Sequence, residues 1–305
     1  MKTAFLFPGQ GAQTPGMGAD LYDYHTIYTE TFNLCEQGAE LNLKEACFEG
    51  RRLDEGEVCQ PAIFAHTLSL LRAVQSEGVD ADICAGLSLG EYAALCAAGI
   101  FGVAQCAALV RQRGRIMDEA FPPGAGGMLS VIGFTAEQAE EAIADFPSAS
   151  VANHLSGLQT VVAGRMPDLI ALKEKFGQAG ARMATLLPVR SPSHSPLLEA
   201  ASQSFLSLLR REDIGVFQKT VYSNALGAPY PGNADIGGLL SRQMRSRVRW
   251  HDCTEHMIGS GARRFVEIGP GSVLSKMLGR RVDKGTETVS VRDRATLEKF
   301  LDSVR

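Results

Sequence analysis

Residues 82–98 read DICAGLSLGEYAALCAA, and the order of these letters decides the fold class. Asp82–Leu87 is a short apolar run suited to a buried strand, and Glu91–Ala98 follows it as a helix. Between them Gly86-Leu87-Ser88-Leu89-Gly90 forms a GxSxG turn. A serine on such a strand-to-helix turn has its hydroxyl exposed. The glycines let neighbouring chain pass close, and the helix start offers amides and positive dipole to an oxyanion. The competing structural explanation is a crossing of strand and helix that needs small residues. The strand–turn–helix context favours Ser88 as a nucleophile.

Working outward, strands alternate with helical stretches, which predicts an α/β protein. Thr3–Phe7 is an apolar strand ending at Pro8-Gly9, and Ile63–Ala73 has helical apolar spacing. Arg264–Ile268, Val273–Leu278, Thr288–Val291 and Ala295–Val304 read as strand, helix, strand and helix. The middle differs. Met128–Ile132 is a strand, Thr135–Gln138 opens a helix with a capping box, and strands follow at Ser150–Ala152 and Gln159–Ala163. Pro167 then starts a helix and Arg182–Leu187 closes the series. This β-α-β-β-α-β order is ferredoxin-like, so residues 126–189 are expected to form a small subdomain inserted between 1–125 and 190–305.

Composition excludes several classes. The chain has 305 residues, 30 basic and 34 acidic side chains, and a net charge of −4, which argues against nucleic-acid binding by bulk charge. Residues 1–150 hold 8 basic against 20 acidic side chains and 151–305 hold 22 against 14, so an anionic partner should prefer the second half. Four arginines within 241–249, on an expected helix Ser241–Trp250, together with Arg280-Arg281, are the natural docking face; a solvated helix explains them equally. Seven scattered cysteines without a CxxC pair argue against zinc or a disulfide framework and fit a reducing cytoplasm. The N-terminal apolar run is too short for a signal peptide. Tyr92–Val110 lacks charge over 19 residues, but Gly99 and Gly102 divide it into two buried helices better than into one membrane span.

An activated serine needs a base, and six histidines are present. His66 lies in an apolar helix and reads as core; His25 reads as surface. His194, in Ser191-Pro192-Ser193-His194-Ser195-Pro196, is held in a proline-braced loop and follows Ser88 in the chain, as in serine hydrolases. His194 is the first choice and His251 the second. No carboxylate between Ser88 and His194 is obviously placed to complete a triad, so a backbone carbonyl could orient the imidazole in a Ser–His dyad. Of Arg111, Arg113 and Arg115, one reaching an apolar pocket would grip a carboxylate, with the other two on a solvated face. The Phe7–Gln13 loop fails both GxGxxG and the P-loop pattern, but its amides could help an oxyanion hole.

Taken together, the segments FPGQGAQ (7–13), CQPAIF (59–64), GLSLGEYAAL (86–95), RGRIM (113–117), VANHLSGLQTVVAG (151–164), SPSH (191–194), VRW (248–250) and VEIGPG (266–271) resemble the malonyl-CoA:acyl-carrier-protein transacylase family. The resemblance runs along nearly the whole chain. It implies an α/β-hydrolase-like large domain with an inserted ferredoxin-like small subdomain. It implies ping-pong transfer of malonyl from malonyl-CoA, through Ser88, to the phosphopantetheine thiol of acyl carrier protein, for fatty-acid or polyketide synthesis. His194 is then the base, Arg113 the carboxylate clamp, and the amides of Gln10 and Leu89 the oxyanion hole. The His194-orienting carbonyl is expected from Arg249, and Gln60 and Asn153 should line the site. No permanently bound cofactor, metal, nucleic acid or membrane is implied; CoA is substrate and product, and a monomer is the default. Leu87 departs from the family's usual His, Cys59 from Thr, and Leu155 and Gly157 from Asn and Pro. The rival readings are a serine hydrolase that strips acyl groups from carriers with the same pair, and a non-catalytic carrier-docking protein.

Overall fold

A computed structural model describes residues 2–305. In chain order the first elements are β1 (Lys2–Phe7), α1 (Thr26–Ala39), α2 (Leu43–Glu49), α3 (Gly56–Ser76), β2 (Ile83–Gly86), α4 (Gly90–Ala97) and α5 (Val103–Glu119). Next come β3 (Gly126–Ile132), α6 (Ala136–Ile143), β4 (Ser150–Ser156), β5 (Gln159–Arg165), α7 (Met166–Gln178), β6 (Met183–Leu186) and α8 (Glu199–Leu209). The chain ends with β7 (Thr220–Ser223), the two-residue β8 (Ala228–Pro229), α9 (Ile236–Arg245), α10 (Trp250–Gly259), β9 (Ala262–Ile268), α11 (Val273–Gly279), β10 (Glu287–Val291) and α12 (Arg294–Val304). Two compact units result: one of residues 2–114, 213–223 and 254–305, the other of 115–212 and 224–253.

The first unit is built on parallel strands in the order β10-β9-β1-β2-β7. Ala4–Phe7 are fully buried, as a central parallel strand covered on both faces requires. Phe7 aligns with Gly86, so β1 and β2 deliver the Pro8–Gln13 loop and the Ser88 turn side by side. Helix α3 begins seven residues before the apolar run that announced it. Pro61 reads as a boundary, yet it forfeits only one backbone bond, and 17 of the 21 helical residues are buried. That longer helix carries Gln60. The Tyr92–Val110 segment does divide, into α4 and α5 joined across 98–102. Among the described residues no helix is long and apolar enough to cross a membrane.

In the second unit an antiparallel sheet of order β4-β5-β3-β6 carries α6 and α7, with Leu129, Val131, Val151 and Val162 packed against Ala139, Leu172 and Phe176. The chain order is the β-α-β-β-α-β expected, and the mixed α/β class, a large hydrolase-like body with a ferredoxin-like subdomain, is borne out. Thr135 and Gln138 form the anticipated capping box. One expected element fails. The helix read over Ser241–Trp250 is two helices: α9 ends at Arg245, Ser246 is extended, and Val248 bridges to Asn153 before α10 starts.

Candidate active site

The turn after β2 meets the requirements of a nucleophile elbow. Ser88 adopts φ +53°, a left-handed conformation that residues other than glycine rarely accept. Backbone bonds hold it there, one from the neighbouring strand and two within the turn: Leu87 N–H donates to Phe7 O (3.0 Å), Gly90 N–H to Leu87 O (2.9 Å), and Glu91 N–H to Ser88 O (3.1 Å). A Cβ on Gly86 would lie 1.9 Å from the Gly90 carbonyl, and one on Gly90 2.1 Å from Phe7 O. The small-residue crossing is therefore real. It explains both glycines but not a strained serine between them.

Ser88 is partly exposed, and Arg113 Nη2 donates to its Oγ at 3.1 Å. Nη1 of the same guanidinium donates to Gln60 Oε1 (2.7 Å), and Gln60 Nε2 donates to Gln10 Oε1 (3.3 Å). The Arg113 guanidinium lies 5.5 Å from the Tyr92 ring centroid, a cation–π distance. Arg113 is 1% exposed, and burial pushes its pKa down from the usual guanidinium value. Arginines at this depth exist to pair with an anion. Its neighbours are the contrast: Arg111 is spent on Glu57 (3.0 Å) and the Ala39 carbonyl, and Arg115 is 47% exposed beside Glu119. Beside the serine, the amides of Gln10 and Leu89 have no acceptor among the described residues. They are donors suited to a developing oxyanion.

His194 belongs to the second unit. It is buried with φ +62°, its N–H donates to Met244 O (2.9 Å), and Nδ1 lies 2.6 Å from Gln243 O. A carbonyl only accepts, so Nδ1 carries the proton and Nε2 keeps the lone pair a base needs. The loop is braced by Ser195 Oγ donating to Pro192 O (2.6 Å). The orienting carbonyl is thus Gln243's, which corrects the expectation placed on Arg249. Because α9 stops at Arg245, carbonyls of its last turn lack the amide four residues on, and His194 satisfies two of them. Arg249 is exposed; its carbonyl accepts Cys253 N–H (3.0 Å) and its Nε donates to Asp252 (2.6 Å). Nothing in the sequence marked Gln243, since a backbone acceptor leaves no side-chain signature.

Asn153 is buried on β4, where it bridges to Val248, and its Oδ1 has no hydrogen-bond partner among the described residues. A buried unsatisfied amide oxygen is unusual enough to point to a ligand. The second-choice base, His251, stands against His154 with ring centroids 4.6 Å apart. His66 is core, as its apolar helix indicated: Tyr28 O–H donates to Nδ1 (2.7 Å), and Nε2–H donates to Arg292 O (3.0 Å). His25 is half-buried, 3.9 Å from Glu77, and so less superficial than its polar surroundings suggested. All seven cysteines are buried free thiols.

Residues 4–298 match the family model described as acyl transferase domain. The chain is 33% identical over 310 residues to malonyl CoA-acyl carrier protein transacylase of Bacillus subtilis, covering 100% of this chain and 98% of that one. Among solved structures, malonyl CoA-acyl carrier protein transacylase from Clostridium perfringens superposes with TM-score 0.94 at 35% identity, covering 100% and 98% of the two chains. A malonyl-transacylase solved in complex with its type II PKS acyl-carrier protein gives TM-score 0.94 at 31% identity, covering 99% and 100%.

Proposed function

The chain belongs to the acyl transferase family that contains the malonyl CoA-acyl carrier protein transacylases, and from that premise we propose how its own residues perform the transfer. The enzyme moves a malonyl group from malonyl-CoA to the phosphopantetheine thiol of an acyl carrier protein. His194 Nε2 takes the Ser88 proton as Oγ attacks the thioester carbon. The resulting oxyanion is received by the Gln10 and Leu89 amides. The carbon–sulfur bond breaks, and the CoA sulfur leaves with the proton from His194. In the second half-reaction the carrier's thiol gives its proton to His194 and attacks the ester. Oγ departs and regains that proton. Splitting the exchange at a covalent ester gives ping-pong kinetics. Gln243 O holds the imidazole through both halves and stabilises its charged form. No permanently bound cofactor enters this scheme, and malonyl-CoA and CoA come and go.

The observation that carries this reading is Arg113, buried to 1% exposure with one nitrogen on Ser88 Oγ and another on Gln60. A cation at that depth beside the nucleophile matches the free carboxylate of malonyl rather than a plain acyl chain. In this reading residues 1–125 and 190–305 form the catalytic domain and 126–189 the insert, and the protein works as a cytoplasmic monomer. Incubation with malonyl-CoA followed by intact mass measurement should find one malonyl ester on Ser88, absent in Ser88→Ala. Failure to trap it would favour a non-catalytic carrier-docking protein. Adding carrier should then yield malonyl-carrier; free malonate as the main product would establish the hydrolase instead.

A further inference from the structure

Helix α11 and edge strand β10 border a cleft of 720 Å³ that the mechanism above does not use. Its wall carries Lys276 and Arg292 with the hydroxyls of Ser272, Thr288 and Ser290, and no carboxylate. Two other clefts are mixed in charge: one sets Glu137 and Asp252 among its arginines, and the one adjoining at Gly271 and Arg292 contains Asp20 and Asp293. Lys276 is exposed without an ion-pair partner among the described residues. Arg292 keeps Asp293 at 3.3 Å and donates through Nη1 to Ser290 Oγ (3.1 Å), and its carbonyl is anchored from behind by buried His66. The Leu274 and Ser275 amides of α11 are already committed to buried Glu267, at 3.1 and 2.8 Å. Side-chain cations and hydroxyls are therefore what the cleft offers a ligand.

One wall residue of the cleft, Gly271, lies near the loop that follows β1. A Cβ on Gly271 would sit 3.7 Å from the Ala12 carbonyl, and one on Gly269 would strike Pro8 at 2.8 Å. One edge of the cleft is therefore close to Ala12, two residues after Gln10. We propose that it binds the phosphate of a pantetheine-bearing substrate, Lys276 and Arg292 pairing with its oxygens and Ser272, Thr288 and Ser290 bonding to the rest. The proposal rests on the transacylase reading for its substrates. Both carry such a phosphate, CoA as a diphosphate and the carrier as a phosphodiester. A space of 720 Å³ admits a phosphate with part of what is attached to it.

The test uses the full chain and the variants Lys276→Gln and Arg292→Gln, with Lys276→Arg as a charge-retaining control. Each neutral variant should raise KM for a phosphate-bearing partner about threefold to tenfold at low salt, with kcat kept and Lys276→Arg near wild type. KM for the phosphate-free malonyl-N-acetylcysteamine thioester should not move. A rise for malonyl-CoA alone assigns the CoA diphosphate, and a rise for the carrier alone assigns its phosphodiester. Unchanged KM for both, or equal losses with the phosphate-free thioester, would overturn the proposal. Calorimetric titration with CoA and with pantetheine separates the two readings. Weaker CoA binding in a variant, in a protein that transfers no malonyl, would leave the site standing and sink the transacylase function.

Discussion

At the scale of single residues, the proposed mechanism depends on one charge and one backbone acceptor. In the proposed site, removing the guanidinium would leave the malonyl carboxylate buried without its partner, a penalty of about 2–5 kcal/mol, or roughly 30-fold to several thousand-fold. Arg113→Ala should therefore lose malonyl transfer by that factor while keeping or gaining acetyl transfer. Kinetics with both CoA thioesters check this, and equal losses would remove the clamp role. Ser88, His194 and Arg113, the residues proposed to act, could be picked out from the sequence because each has a side chain suited to its proposed role in a fixed context. Gln243 could not, because its contribution is a carbonyl exposed by a helix end. His66 sets a second residue-scale expectation. Burial lowers its pKa from 6.5 to about 4, so the folded protein resists protonation that the unfolded chain accepts. Above pH 6.5 nothing is lost; as pH falls from 6.5 toward 4, stability should drop by about 3 kcal/mol from this group. Urea midpoints measured across that interval should fall in wild type, and that component should vanish in His66→Gln.

At the scale of elements, Arg113 stands beside a tight helix crossing. A Cβ on Gly114 would lie 2.1 Å from the Gly56 carbonyl, so α5 meets the start of α3 backbone to backbone, one turn before Gln60. Neither partner is a side chain that can swing away. Gly114→Ala should force the helices apart, destabilise by about 1–3 kcal/mol, and lower the ratio of malonyl to acetyl transfer as Arg113 leaves Gln60. Gly177→Ala on α7, where nothing lies within 4 Å, is the control and should hold or raise the melting temperature. A Gly114→Ala protein with wild-type selectivity would show that the crossing does not position the guanidinium. The elements that could be read in advance were those with a strong period or punctuation, such as the Thr135 capping box and the Gly99–Gly102 break. The stretch 241–250 misled because it combines helix-forming Arg, Gln and Met. Its break is imposed by tertiary pairing of Val248 with Asn153, which local propensity cannot register.

At the scale of the whole molecule, the charge asymmetry between sequence halves does not survive folding. The first compact unit gathers 18 basic and 22 acidic side chains from three segments, and the second holds 12 of each. One unit is mildly negative and the other neutral, so neither presents a bulk positive field to an acidic carrier. The arginines of 241–249 are mostly spent locally. Arg245 pairs with Glu199, Arg247 with Glu140 and Arg249 with Asp252, which leaves Arg242 without a carboxylate among the described residues. Carrier recognition must then rest on a few local contacts rather than on long-range attraction. Steering by a strong field raises association about tenfold to a thousandfold and collapses with added salt. Local pairing at a handful of cations depends on salt much more weakly. The kcat/KM for carrier should fall by less than about tenfold between low and physiological ionic strength. A loss of roughly a hundredfold or more would mean steering by a field that these two units, taken separately, do not generate.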